Sequence, residues 1–409
     1  MKRYIGHFQA SSSQLIRWVA SPAHYVLLLI AALPSAMVRV IATVYLITQL
    51  GMEPFTVGCY AYGSTLLGMV VTYLAGRGHI DRQNPVLLTV ASLCASLLNI
   101  ACLVLAFKSP FFLIVSACFS GISQLLVPAL FMYDEGHQLR SGKLADGMYG
   151  MRLLVSVVWI VGPPLAFHLY DLGGFSFVLV GCVVCGAVAF SGVFIEQSTT
   201  GTQYISRVQE GQAEENASRE PSSGSRPYYA ILPVFSVMVF VTSANLIHSM
   251  TMPIYLVKTL AVPINIPGVV MMVAAATEVV AIYFIPKLTR IVPEKAVLQA
   301  GLGIGLAYFA LLLFATNPWM ILGMQILYGA HFAFSTVVCL AFLKAISQNR
   351  VGSIAAQFLN AGKIGSLLGS AIFAACADIL GYYHLITSAC IFLLFCAALS
   401  SIFLPRNHC

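Results

Sequence analysis

Twelve runs of about twenty apolar residues, parted by short charged or Gly/Pro-rich breaks, leave this chain few ways to fold. They fall near 24–50, 55–76, 85–107, 110–132, 148–170, 174–195, 228–257, 266–286, 295–315, 318–343, 352–377 and 382–404. A run of that length is what an α-helix needs to cross a hydrocarbon core about 30 Å thick at a rise of about 1.5 Å per residue. Composition agrees. The chain is 59% hydrophobic and 9% charged with mean hydropathy +0.89, whereas a soluble chain keeps roughly a quarter of its residues charged. The expected fold class is an all-α membrane protein of twelve transmembrane helices.

Between the sixth and seventh runs, Glu196 to Arg226 is rich in Ser, Gly, Gln and Glu without apolar periodicity, which reads as a flexible cytoplasmic linker. The expected organisation is an N-terminal six-helix bundle over 1–195, a linker over 196–227 and a C-terminal six-helix bundle over 228–409. The two bundles look related. Tyr45-Leu46 and Leu50 recur as Tyr255-Leu256 and Leu260, and Gly58 to Arg77 recurs as Gly268 to Lys287, both at an offset of 210; Arg152 is matched by Lys363 at 211. Duplicated bundles of this kind bind solute where the copies meet.

Lys and Arg fix the orientation. With the N-terminus inside, sixteen fall on inner segments and only Lys108 and Lys258 on outer loops, so both termini are expected in the cytoplasm. The net charge of +7 follows from that topology and gives no reason to expect a nucleic-acid partner. The first run is too long, and lacks a small-residue cleavage site, for a removable signal; it is expected to remain as the first helix.

A charge at the bilayer centre costs roughly 2.5–3.5 kcal/mol even on the lenient insertion scale. Arg39, Arg152, Glu278 and Lys363 nevertheless lie within the runs, and Glu278 is the only acid deep inside any of them. Such residues either pair to fix helix packing or carry function. Glu278 is the candidate proton-coupling group, with Arg39, Arg152 or Lys363 as its counter-charge. Polar residues at helical spacing mark candidate cavity faces: Trp159 with Arg152 and Ser156; Asn245, His248 and Tyr255; Gln325, Tyr328 and His331; Asn360 with Lys363. Hydrogen-bonding groups beside flat aromatic rings suit a sugar's hydroxyls and apolar ring face. Bonds between helices are the plainer alternative.

Pro163 and Pro164 should bend the fifth helix, and Gly301-xxx-Gly305 and Gly365-xxx-Gly369 should let helices approach closely. Cys182 and Cys185 form a CxxC pattern inside a membrane run, where packing is the expected role. No phosphate loop, dinucleotide fingerprint or spaced metal cluster occurs in the sequence, so neither a cofactor, a metal nor an enzymatic activity is expected. Asp134, Glu135 and His137 form the one polar cluster resembling a catalytic set, and their place at the inner end of the fourth helix suits a gate better.

WIVGPPLA from Trp159 to Ala166, MPIYL from Met252 to Leu256, GVVMMVAAATE from Gly268 to Glu278 and LAGR from Leu74 to Arg77 together resemble the major facilitator superfamily. More narrowly they resemble its bacterial sugar efflux transporters, the SET family, over nearly the whole chain. The resemblance implies the major facilitator fold of two pseudo-symmetric six-helix bundles in the bacterial inner membrane. It also implies proton-driven export of sugars or glycosides by alternating access; drugs, nucleosides or other small solutes are the alternative. It puts Glu278 on the family's helix 8 acid and Arg152 on its helix 5 basic residue. Arg77 and Asp81, with Asp134 and Glu135, are then expected at the cytoplasmic gate. The loop after Arg77 departs from the family pattern, with His79 near where an acid is usual. The partners implied are a small polar solute, protons and lipid, for a monomer.

Overall fold

The computed structural model describes residues 22–74, 85–124, 144–217, 231–346 and 351–404. Every regular element among them is helical: α1 (Pro22–Thr48), α2 (Pro54–Leu74), α3 (Pro85–Leu105), α4 (Phe111–Ser123), α7 (Leu232–Ile254), α8 (Ile266–Leu288), α9 (Glu294–Leu312) and α10 (Pro318–Ile346), with two further long helical stretches. The first, Leu144–Ala217, breaks at Gly173 and Gly174 into arms α5 (144–172) and α6 (175–217). The second begins at Val351 and breaks at Gly381 into α11 (351–380) and α12 (382–402). Among the described residues, eight spans are long and apolar enough to cross a membrane; two of them, of 39 and 46 residues, contain these breaks. Val90–Leu105 and Phe111–Ser123 are shorter apolar helices. The chain is an all-helical, multi-pass membrane protein.

Two expectations are corrected. The non-helical dihedrals in the fifth and sixth runs lie at Gly173 and Gly174 and not at Pro163 and Pro164. Gly174 has φ +67, a conformation glycine adopts without a Cβ penalty, and the chain reverses there. The supposed linker also begins as helix, because the backbone of α6 stays helical to Ala217. Residues 196–217 contain no proline, and 207–217 supply Arg, Gln, Glu and Ala, which favour helix. Residues 218–227 lie outside the described residues.

The offset of 210 recurs in the geometry. Leu50 and Met52 donate backbone hydrogen bonds to the Tyr45 and Leu46 carbonyls at 3.2 and 3.0 Å; Leu260 and Val262 donate to Tyr255 and Leu256, both at 3.1 Å. Gly51 and Ala261, also 210 apart, each take positive φ, +62 and +50. Tyr45 stacks on Phe175 at 4.2 Å between centroids, and Tyr255 meets Tyr383 at 5.6 Å.

Close approaches repeat in the same way. A methyl on Gly58 of α2 would lie 2.5 Å from the Ala374 Cβ of α11, and one on Gly268 of α8 would lie 2.9 Å from the Pro164 Cα of α5. Both pairs, 58 with 268 and 164 with 374, are 210 apart. Gly121 of α4 abuts Ser64 and Leu67 of α2, while Gly329 of α10 abuts Ala274 and Thr277 of α8. The expected small-residue contacts are present too: Gly301 meets Phe334, Gly305 meets His331, and Gly365 and Gly369 seat α11 on Val239, Thr242 and Ser243 of α7.

Candidate functional site

Over Leu29–Thr48, α1 shows no exposed stripe. From Leu29 to Thr48 the one exposed residue is Arg39. A helix that faces lipid shows a stripe instead, as α6 does with exposed Phe177, Val180, Val183, Val184 and Val188. A single exposed guanidinium amid buried neighbours is the pattern of a helix that faces other helices and not lipid, because lipid does not tolerate a bare charge. Among the described residues Arg39 has no hydrogen-bond or ion-pair partner.

Glu278 stands on α8 with 7% of its surface accessible. It follows Ala274 by one turn, and Ala274 is where Gly329 brings α10 against α8. Position 278 therefore shares the face that packs toward α10. Its counterpart 210 residues earlier is Gly68 on α2, and the space a side chain there would take is filled by Gln124, whose Nε2 donates to the Ser64 carbonyl at 3.3 Å. The repeat thus holds an acid in one copy and a bare backbone in the other.

Lys363 of α11 does not meet Glu278. Its ammonium donates to the Gly68 carbonyl at 2.6 Å and also to the Thr72 hydroxyl, tying α11 to α2 through neutral acceptors. Arg152 lies on described helix backbone, but its side chain is outside the described residues, as are Arg77, Asp81, Asp134 and Glu135.

The polar residues of α7 and α10 gather away from these charges. Gln325 Nε2 donates to the Tyr308 hydroxyl at 2.9 Å, and that hydroxyl lies 2.8 Å from His248 Nε2. With Gln325 donating to it, the Tyr308 hydroxyl can donate in turn to His248 Nε2, while Gln325 Oε1 is buried without a partner. His248 stacks on Tyr328 at 3.8 Å, Tyr328 donates to Asn245 Oδ1 at 2.6 Å, and His331 Nδ1 donates to the Gly301 carbonyl at 2.8 Å. His248, Tyr308, Gln325 and His331 are all buried. A like bond occurs at equivalent places in the first half of the chain, where Ser116 donates to Asn99 Oδ1 at 2.6 Å. Asn99 and Ser116 of α3 and α4 precede Tyr308 and Gln325 of α9 and α10 by 209 residues each. Bonds repeated at matched sites between neighbouring helices hold each copy together.

A model of the MFS_1 like family matches residues 63–373. The chain belongs to this family of major facilitators. Among its relatives, sugar efflux transporter A of Dickeya chrysanthemi is 23% identical over 369 residues, covering 89% of this chain and 91% of the relative. Sugar efflux transporter B of Salmonella typhimurium is 21% identical over 387 residues, covering 93% and 95%. Among solved structures, a bacterial homologue of the iron transporter ferroportin in an inward-facing state superposes with TM-score 0.66 at 13% identity, covering 95% of this chain and 98% of that one. At that identity the likeness speaks for the fold alone.

In this facilitator the residues expected to line a cavity thus divide. His248, Gln325 and His331 are buried with protein partners, and Tyr255 is buried against Tyr383. Trp159 and Asn245 are half-buried and Asn360 is exposed. Sequence reading passed over Tyr308, Asn99 and Thr72: Tyr308 is a lone polar residue late in its run, whereas Asn99 continues the spacing of Ser92 and Ser96 and Thr72 adjoins Tyr73. The offset was the available signal, since it sets Gly68 against Glu278 and Asn99 near Tyr308.

Replacing Tyr308 with Phe leaves His248 and Gln325 buried with one partner fewer. The expected cost is about 1–3 kcal/mol of stability, read as a lower unfolding temperature in detergent, with transport per folded molecule unchanged. Loss of transport at unchanged stability would instead put this cluster in the solute path.

Proposed function

We propose that this facilitator is a proton-coupled exporter of sugars or glycosides that works by alternating access. The observation that carries the reading is similarity over nine-tenths of the chain to proteins named sugar efflux transporters. The molecule is read as twelve membrane helices in two six-helix bundles, one ending and the other beginning in the region 196–227, with both termini in the cytoplasm of a bacterium and the protein acting as a monomer in the inner membrane. The bundles enclose a cavity to which Trp159, Asn245 and Asn360 present surface. Glu278 takes up and releases the coupling proton. With Lys363 engaged by α2 and Arg39 without a partner among the described residues, Arg152 remains as the counter-charge. Arg77, Asp81, Asp134 and Glu135 form the cytoplasmic gate.

A proton shifts the balance between inward- and outward-open states only by binding one of them better, so Glu278 must change surroundings as the bundles rock. Its place one turn from the α8–α10 contact supports that role, because movement of either helix alters what it faces. The test is efflux of radiolabelled lactose and small glycosides from proteoliposomes with and without an imposed pH gradient. Gradient-stimulated flux is the expected result. Folded protein that moves no sugar would keep the fold and overturn the solute.

A further inference from the structure

Arg39 and Lys363 lie deep in the apolar runs and Arg152 near the start of another, against one deep acid, Glu278. One carboxylate cannot neutralise three cations, and a membrane interior does not tolerate uncompensated charge at low cost. The described geometry sharpens the imbalance. Lys363 is held by a carbonyl and a hydroxyl, both uncharged, and Arg39 has no partner among the described residues. At about 1.5 Å per residue, Glu278 lies about 15 Å along α8 from Gly268 and Lys363 about 16 Å along α11 from Ala374. Arg39 lies about 18 Å along α1 from Gly51, just beyond the end of that helix. All three therefore sit near the middle of a hydrocarbon core about 30 Å thick.

We infer that the transported solute is an anion, a sugar bearing a carboxylate or a phosphate, and that Arg39 is the residue that reads its charge. This rests on the exporter reading above and narrows its substrate class. The missing negative charge arrives with the solute, which explains why a guanidinium is left exposed at mid-depth in an otherwise buried helix. A planar guanidinium donates two parallel hydrogen bonds to a carboxylate or phosphate. To a neutral hydroxyl it offers no such match, so discrimination falls on the charge and not on the ring.

The experiment uses the full chain in proteoliposomes and measures competition by glucuronate, glucose 6-phosphate and neutral glucose against a labelled glycoside. An anionic sugar is expected to compete about tenfold or more better than glucose. Competition by glucuronate alone assigns a carboxylate, and by glucose 6-phosphate alone a phosphate. Arg39→Gln should erase the preference, read within that variant as the ratio of anionic to neutral competition, and Arg39→Lys should restore part of it. The wild-type comparison stands even if a variant fails to fold. Flux of the neutral glycoside without better competition by either anion overturns this inference and leaves the exporter reading standing. Absence of flux for every sugar overturns that reading itself.

Discussion

Glu278→Gln is expected to remove pH-gradient-driven export by about tenfold or more while solute exchange at equal pH continues. Glutamine has the shape of a protonated glutamate and cannot lose the proton, so the variant is fixed in one of the two states between which the gradient works. The position has no understudy, since the matching place in the other half of the chain is Gly68 and no other acid lies deep in the apolar runs. Proteoliposome efflux over a series of gradients reads the effect. Full gradient-driven flux with unchanged pH dependence in the glutamine variant would end the assignment.

Gly268→Val and Gly58→Val are expected to be nearly as severe, by a different route. A Cβ on Gly268 would lie 2.9 Å from the Pro164 Cα and 3.0 Å from the Pro163 carbonyl oxygen; one on Gly58 would lie 2.5 Å from the Ala374 Cβ. Proline backbone and an alanine Cβ cannot swing aside as the tip of a long side chain can. Overpacking of this kind costs about 1–3 kcal/mol, charged only to the conformer in which these helices touch. The balance should therefore swing about tenfold or more toward the opposite conformer. Alkylation of cysteines placed along α5 and α11 reads the swing as a changed rate on one side of the membrane. Gly63→Val is the control, because Gly63 shares α2 with Gly58 and has nothing within 4 Å of where its Cβ would stand. Equal behaviour of Gly58→Val and Gly63→Val would show that the contact does not govern the state.

The apolar runs made the helices legible because lipid imposes a length that composition cannot disguise. The repeat was legible for a related reason: contacts such as Gly58 with Ala374 and Gly268 with Pro164 admit few residue types, so both copies keep them. Direction around each helix was harder to read. His248 and Gln325 fall at the same helical spacing as Asn245 and Asn360, yet the first two turn inward to Tyr308 on α9, and no pattern within α7 or α10 records which neighbour lies on which side. The hold on Lys363 left no trace either, since one of its acceptors is the carbonyl of Gly68 and every residue has one. Prolines misled where glycines decided, because Pro163 and Pro164 are held helical beside α8 while Gly174 supplies the dihedral needed to turn.

The exchange of an acid for a bare glycine between positions 278 and 68 sets a thermodynamic ceiling. If Glu278 carries the coupling proton as proposed, each cycle would trade at most one proton there, and one proton crossing a pH difference of one unit releases about 1.4 kcal/mol. Before the membrane voltage is counted, that sustains about a tenfold difference in solute concentration for each pH unit. An exporter so geared would stall at that ratio, and so would relieve a surplus without stripping the last of it from the cell.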